Sequence, residues 1–451
     1  MRYMNKRPIF DEEAWLRVDD LDGHVYSAYL DMRPEVIDRY SHLPDEIPWA
    51  VVRIIAILPT RIDAQLIDCI YKHGNGSERY VYKRRPVTSM KPIEENWGLE
   101  YSAFFVICDL TVPENFNYDF IYNENHLPES VAIALYDTEA VESDQHTRFV
   151  NIRYPATGMS MLYDQTDKFM AVCVPVLHHS FNRPLDLVEF VEYHLLLGAS
   201  HFTFYNSSVS SDVDRVLRYY SERGVATVLR WKLPSNYVFE KTLRYEGMFA
   251  GLNDCLYRNA FHESYKYIAN FGVDEFVVPR MHNDFGEMMA HLDPPLENDA
   301  TNRHASFLFK NVFFYTMYED ERENKDPNAP YLYTQAKTWR LKEPHKPGHR
   351  SRYVVRGLDA VELGNYNVWE LRRGSSTCSN QFDEVAVEPE VALSHNYSPC
   401  EAEETGCYLK AIVIDRAAQR FTKKLRPMVA ATCDKIFGHT GCPVVKKEPL
   451  A

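Results

Sequence analysis

The chain has 451 residues, 45% hydrophobic and 25% charged, a size and balance that suit two or three globular domains. Its 50 basic and 64 acidic side chains give a net charge of −14, which excludes a general nucleic-acid binder, because that role needs a basic face. No run of 18 apolar residues reads as a transmembrane helix, and residues 1–8 carry no secretory signal pattern.

Residues 1–48 are polar and mixed and read as an N-terminal extension. Within it, Tyr26 to Arg33 fits an edge strand leading into a loop. Residues 49–158 are expected to form a smaller β-sandwich domain that takes carbohydrate. Runs at 50–58, 64–71, 101–110, 131–136 and 148–153 are rich in Val, Ile, Phe and Tyr, with Gly, Pro and Asn clusters between them and no helical pattern. Cys69 and Cys108 fall on two of these runs and can pair in an oxidising compartment. The nine cysteines match no zinc spacing, and sequons stand at Asn75, Asn206 and Asn396, of which Asn75 is the expected glycan acceptor.

From residue 159 the pattern alternates. A buried strand at 169–177 is followed by a helix after Pro184, with Leu187, Phe190, Val191 and Leu195 in phase and Gly198 past its end. A strand at 201–205 and a helix with Val213, Val216, Leu217 and Tyr220 in phase come next, then a strand at 225–230. A longer helix through Tyr245, Phe249, Leu252 and Leu256 delivers the chain to a strand at 265–271. This βαβαβαβ order predicts a parallel sheet with crossover helices. The loops after its strands carry His178, His179, Tyr205, Asn206 and Asp274 to one sheet edge, where such sheets bind ligands.

The stretch from Tyr265 to Pro279 organises this half. A buried run ends at Gly272, two carboxylates follow at Asp274 and Glu275, and Pro279 closes a second apolar run. Carboxylate oxygen at that edge suits a hard divalent cation shared with a phosphate. Further on, 337–342 and 345–352 form a basic patch in an acidic chain, as a phosphate ligand would need. The segment 319–326 is a charge run typical of a solvated loop, 390–397 is a strand containing His395, and 407–437 has helical phase.

The segments Cys173-Val-Pro175, Glu189-Phe-Val-Glu-Tyr-His194, Phe204-Tyr-Asn-Ser-Ser208, Trp231-Lys-Leu-Pro234, Asn253-Asp-Cys255 and Asp274-Glu-Phe276, in that order, resemble glycosyltransferase family 92. The resemblance implies an α/β fold: a GT-A type, Rossmann-like nucleotide-sugar domain over 159–451, closed by a C-terminal helix. It implies a Golgi enzyme whose lumenal ectodomain is this chain and whose membrane anchor is missing from it. The activity implied is inverting transfer of galactose from UDP-galactose, with Mn2+, to a glycoprotein glycan acceptor. A β-1,4 linkage to a terminal galactose of N-glycans is the first expectation and galactosylation of core fucose the alternative.

The roles that follow from it place Mn2+ on Asp274 and His395, with uridine held by Pro175, Val176, Leu177, Tyr205 and Asn206. Asn253 and Asp254 brace or contact the donor, and Arg350 or Arg352 offers charge to the diphosphate. The acceptor base is Glu370, with Asp383 second. A metal-ligating His395 must be neutral, so activity should fall as pH drops through about 6.5. One departure stands out. The family's Asp-Ile-Asp-Glu-Phe is Gly272-Val-Asp-Glu-Phe276 here, without the first carboxylate. That absence also motivates a different class, a catalytically weak glycan-binding protein. A cytosolic nucleotide-binding enzyme is a third class. Oligomeric state is open.

Overall fold

The β-branched and aromatic runs of the first third become strands because their side chains pack on a pleated surface without losing rotamer freedom. The computed structural model describes residues 15–40, 46–74, 80–113, 127–136, 147–155, 168–295, 302–321, 329–373, 381–400, 407 and 410–445. The chain is a mixed α/β protein of two compact units. The first comprises Met1–Asp167, Leu229–Tyr265 and Arg372–Ser379; the second comprises Lys168–Val228, Lys266–Leu371 and Asn380–Ala451. Asn75 and most of the 319–326 charge run lie outside the described residues.

In the first unit, nine strands among the described residues form one hydrogen-bonded path. Its order is Tyr80–Pro86, Ile67–Gly74, Ser130–Leu135, Val150–Arg153, Gly23–Asp31, Glu46–Pro59, Tyr101–Pro113 and Ser89–Pro92, with Leu16–Val18 also on Gly23–Asp31. The path curls. Ile67, Cys69 and Tyr71 share one core with Phe104, Val106 and Cys108, and a Cys69–Cys108 disulfide joins strands that four others separate along the path. This is one curled sheet rather than the two stacked sheets of the expected sandwich. The outermost strand Tyr80–Pro86 carries Lys83, Arg84 and Arg85 and ends in proline.

Two further differences concern extent. Gly23–Asp31 is a central strand, paired on both sides and buried throughout, not an edge in an N-terminal extension. The helix Met248–Leu256, expected as a crossover helix of the second half, belongs to the first unit. Its Asp254 accepts from the Tyr29 hydroxyl at 2.7 Å, and Tyr257 of the π-helical turn beyond it accepts from Arg33 at 3.1 Å. Beside them Asp31 is wholly buried. Burial pushes its carboxyl up, but Arg33 at 2.7 Å and Arg53 at 3.8 Å outweigh that and hold it below its usual range.

The second unit is built on a seven-stranded sheet. Its order is Ala226–Arg230, His201–Asn206, Lys168–Cys173, Tyr265–Asn270, Arg352–Arg356, Asn302–Phe309 and Gln381–Val387. Ala171–Cys173 runs parallel to His201–Thr203, as the βα alternation predicts. The sheet as a whole is mixed, since Arg352–Arg356 is antiparallel to both of its neighbours. Pro184–Leu196 starts with proline in its first turn and buries Leu187, Val188, Phe190 and Val191, each worth roughly 1.5–3 kcal/mol out of water. Ser211–Glu222 is capped by the Ser210 hydroxyl, which accepts from Val213 N at 3.3 Å. The C-terminal helix Thr422–Phe437 puts Leu425 and Val429 into the same core. A three-stranded sheet of Glu275–Pro279, Ala392–Asn396 and Asn311–Phe313 completes the site's framework. Disulfides Cys400–Cys407 and Cys433–Cys442 close two short loops.

Candidate functional site

Cys173 and Phe271 end adjacent strands, and the Phe271 amide donates to the Cys173 carbonyl at 3.2 Å, so the loops that follow open at one sheet edge. The segment after Cys173 continues beside the segment after Tyr205. Leu177 N donates to Tyr205 O at 2.9 Å, and the Ser207 and Ser208 amides donate back to Leu177 O at 3.0 Å. His179 and Ser180 are left-handed, at φ 54° and 52°, and turn the rings of half-buried His178 and exposed His179 toward one another, Nδ1 to Nδ1. Of the residues expected to hold uridine, Val176, Leu177 and Tyr205 are buried, while Pro175 and Asn206 reach the surface.

The adjacent carboxylates Asp274 and Glu275 have opposite surroundings. Glu275 is only 4% exposed and folds back on its own turn. It accepts from Gly272 N at 2.8 Å and Asn396 Nδ2 at 3.2 Å, and it pairs with Arg352. Arg352 also donates to the Asn365 carbonyl at 2.7 Å and to its Oδ1 at 2.9 Å. Burial alone would lower that guanidinium's pKa, but Glu275 outweighs it. Arg352 is therefore committed to Glu275, a correction to its expected role on the diphosphate. A Cβ on Gly272 would lie 2.5 Å from Glu275 Oε2, so any side chain at 272 requires the Glu275 carboxylate to shift from the place it occupies here.

Asp274 faces outward with its side chain 28% exposed. Its carbonyl accepts from Tyr397 N at 2.9 Å, which fixes the turn to the strand Ala392–Asn396. Arg183, at the start of the helix Pro184–Leu196, stands 3.5 Å from Asp274 and 3.4 Å from Asp186. Sequence reasoning missed Arg183; its pairing with Asp274, 91 residues away in the chain, carries no local signal.

His395 lies opposite Phe276 in the register, stacks on Phe314 at 4.4 Å and has Nδ1 3.2 Å from the Tyr397 hydroxyl. Burial pushes its pKa down to about 3, with Asp415 opposing and Arg280 and Arg340 reinforcing. Its Nε2 is buried and has no hydrogen-bond partner, an orphaned nitrogen of the kind a metal can satisfy. It is nonetheless sealed from solvent among aromatic rings, and the charges acting on it are Asp415 and two arginines. Among the described residues, no group of three His, Cys, Asp or Glu side chains could hold a metal ion. Asp274 is, among the described residues, the expected ligand placed to hold a divalent cation. The acid sensitivity expected near pH 6.5 loses its basis in His395, because that ring is already neutral there.

The remaining expected residues scatter. Glu370 is half-buried on a hairpin opposite Glu362, and the hairpin's turn carries the Asn365 that holds Arg352. Asp383 pairs with His304 at 2.7 Å near the starts of two strands parallel to Tyr265–Asn270, hence at the sheet edge opposite Asp274. That position removes it as the acceptor base. Arg350 is half-buried, left-handed at φ 52°, with its guanidinium 5.4 Å from the Phe313 ring centre. Asn253 and Asp254 are wholly buried in the first unit. Asn253 donates to Phe249 O at 2.9 Å, and Asp254 is fixed by Tyr29 and Arg258, so both are structural rather than donor contacts. Asn396 is likewise buried against Glu275, which removes it as a glycan acceptor.

Comparison with known proteins places this geometry. A Caenorhabditis elegans beta-1,4-galactosyltransferase is 26% identical over 214 residues, which are 41% of this chain and 49% of that protein, so the match spans about half of the relative's length. Among solved structures, GalNAc-T7 with UDP, GalNAc and Mn2+ is 10% identical over 53% of this chain and 45% of its own, at a TM-score of 0.28. Glucosyl-3-phosphoglycerate synthase from Mycobacterium tuberculosis, with Mn2+ and UDP-glucose, is 12% identical over 42% of this chain and 57% of its own, at 0.21. The family model for glycosyltransferase family 92 matches residues 168–436, more than half of the chain and all of the Asp274 edge. The chain belongs to glycosyltransferase family 92.

Proposed function

We propose that the chain is an inverting galactosyltransferase of GT-A type that moves galactose from UDP-galactose to a glycoprotein glycan. The preferred acceptor is a terminal galactose of N-glycans, joined through a β-1,4 linkage. The observation that carries the reading is the family match over 168–436, which includes an outward-facing Asp274 at the edge where such sheets take ligands. Core fucose is the alternative acceptor.

In this reading the acceptor oxygen bonds to C1 of galactose as the C1–O bond to UDP breaks. The electron pair leaves with UDP, and the hydroxyl proton passes to a carboxylate, for which Glu370 remains the candidate. Arg183 lies beside Asp274 and supplies positive charge where the diphosphate negative charge grows. The backbone of 175–177, with Pro175 and Asn206, receives uridine. Mn2+ would be held through Asp274, with diphosphate oxygens and water completing its shell. The disulfides Cys69–Cys108, Cys400–Cys407 and Cys433–Cys442 support a lumenal, Golgi setting.

The test is a donor screen of UDP-sugars with a neutral N-glycan acceptor, with and without EDTA. Galactose transfer lost in EDTA and restored by Mn2+ is expected; transfer of another sugar, or of none, overturns the reading. A catalytically weak glycan-binding protein is the second reading, favoured by Gly272 in place of a carboxylate, and it predicts glycan retention with no transfer.

A further inference from the structure

The first unit presents an aromatic surface that no catalytic step uses. Trp97 is 70% exposed, the highest value for any large hydrophobic side chain among the described residues. The guanidinium of Arg244 stands 3.6 Å from its ring centre and 3.6 Å from the ring centre of Tyr245. One face of the indole is thus backed by a cation held between two aromatic rings, and the exposure belongs to the other face. Arg244 itself is only 9% exposed, pairs with Glu240, and has an Nε with no hydrogen-bond partner.

The backbone is shaped to make this surface. Trp97, Glu240, Tyr245 and Glu246 all lie in the left-handed region, at φ 55°, 55°, 45° and 53°, where side chains other than glycine are disfavoured by about 1 kcal/mol or more each. Local bonds fix them. Asn96 Oδ1 accepts from Gly98 N at 2.9 Å, Glu240 accepts from Tyr245 N at 2.6 Å, and the Trp231 indole donates to the Glu246 carbonyl at 2.9 Å. A large apolar ring held outward by several disfavoured residues costs stability twice, once in strain and once in exposed area.

We propose that Trp97, backed by Arg244 and Tyr245, is the platform of a second carbohydrate site, one that takes the apolar C–H face of a neutral hexose. The inference rests on the glycan-acceptor reading above and goes beyond it by placing a sugar contact in the first unit, on Trp97, which precedes the family-92 segment while Glu240, Arg244 and Tyr245 fall within it. A pyranose matches this surface because it has one flat apolar face and a rim of hydroxyls. Glu95, half-buried and acted on by Arg244, and Glu240 supply carboxylate acceptors for that rim. They also neutralise Arg244, so that guanidinium is committed before any phosphate or sialic acid arrives.

The experiment uses the full chain without donor nucleotide, titrated with a fluorescent, desialylated, galactose-ended N-glycan. Trp97→Ala is expected to raise Kd at least about tenfold, a loss of roughly 1.4 kcal/mol, in a chain that still unfolds cooperatively. Trp97→Tyr should retain most of the affinity. Three results overturn the proposal: no binding of the neutral glycan, equal affinity in Trp97→Ala, or tighter binding of the sialylated glycan. Galactosyl transfer is assayed separately, so a failed donor screen alongside Trp97-dependent glycan binding would overturn the enzymatic reading alone.

Discussion

Asp254 and Asp274 look alike in sequence, each in a short polar motif among apolar residues, and each was expected at the donor. Their environments differ. Asp254 is wholly buried, takes the Tyr29 hydroxyl at 2.7 Å and pairs with Arg258 at 3.0 Å. Burial pushes its carboxyl up, and Arg258 with Arg153 overcomes that and holds it low. Asp274 keeps a quarter of its side chain in water and touches Arg183 at the 3.5 Å limit of hydrogen bonding. A carboxylate fully enclosed by protein donors stabilises the fold and has nothing left for a ligand. One partly exposed beside a cation at the edge of hydrogen-bond reach costs less to rearrange.

Four predictions break or sharpen that contrast. The largest effect is expected for Asp274→Ala, which should cut transfer by about 10²–10³-fold, the scale of losing one preorganised charged group, with the melting temperature preserved. Turnover within a few fold of the unmodified chain at saturating Mn2+ would end the assignment. Asp254→Ala should behave in the opposite way. It leaves Arg258 buried without its partner, so unfolding free energy should drop by about 3–5 kcal/mol, with kcat normal in whatever fraction stays folded. Denaturant titration beside single-condition kinetics separates the two outcomes.

Gly272→Asp restores the family's carboxylate pattern on paper. Here it should weaken the protein by roughly 1–3 kcal/mol without improving metal use, because the new side chain must displace the Glu275 carboxylate from its bonds to Gly272, Arg352 and Asn396. A lowered Mn2+ requirement in that variant would contradict the packing account. The smallest effect concerns His395. Its folded pKa of about 3 lies below the ordinary 6.5, so the unfolded chain takes up a proton first as pH falls. The stability it contributes is complete above pH 6.5 and declines toward pH 3, with a slope of at most about 1.4 kcal/mol per pH unit. His395→Gln should flatten the pH 7 to 4 melting profile relative to the unmodified chain and leave the Mn2+ concentration for half-maximal activity unchanged. A large rise in that concentration would place His395 on the metal after all.

Strand and helix identities were legible where periodicity was clean. The helices after Pro184 and Ser210 and the strand ending at Phe271 follow the apolar phase. Tyr26 to Arg33 reads as an edge strand from the sequence, and the strand Gly23–Asp31 that contains most of it carries His24, Ser27 and Asp31 among its apolar residues. In the structure those polar groups are buried, with partners such as Tyr237 for His24 and Arg33 for Asp31. Long-range pairing cannot be seen locally. The same reason hid Arg183 opposite Asp274, tied Arg352 to Glu275, and put Met248–Leu256 with the first unit. Asp383 was misplaced because the sheet turns antiparallel at Arg352–Arg356, and a motif-by-motif reading does not carry strand direction.

The outermost strand of the curled sheet, Tyr80–Pro86, exposes Val81 and Tyr82 along an edge that pairs with no further strand among the described residues, the template on which another chain's strand can add. Lys83, Arg84 and Arg85 follow immediately, and Pro86 ends the run. Arg84 is paired with Asp68 at 3.5 Å, and the like charges of Lys83 and Arg85 on such an edge repel a second copy approaching in register, although the chain as a whole is acidic. That protection is electrostatic and therefore screened by salt. The Debye length shrinks from about 10 Å at 0.1 M to about 3 Å at 1 M, so colloidal stability should worsen as ionic strength rises. Light scattering should show the onset of aggregation at lower salt once Lys83, Arg84 and Arg85 are changed to serine.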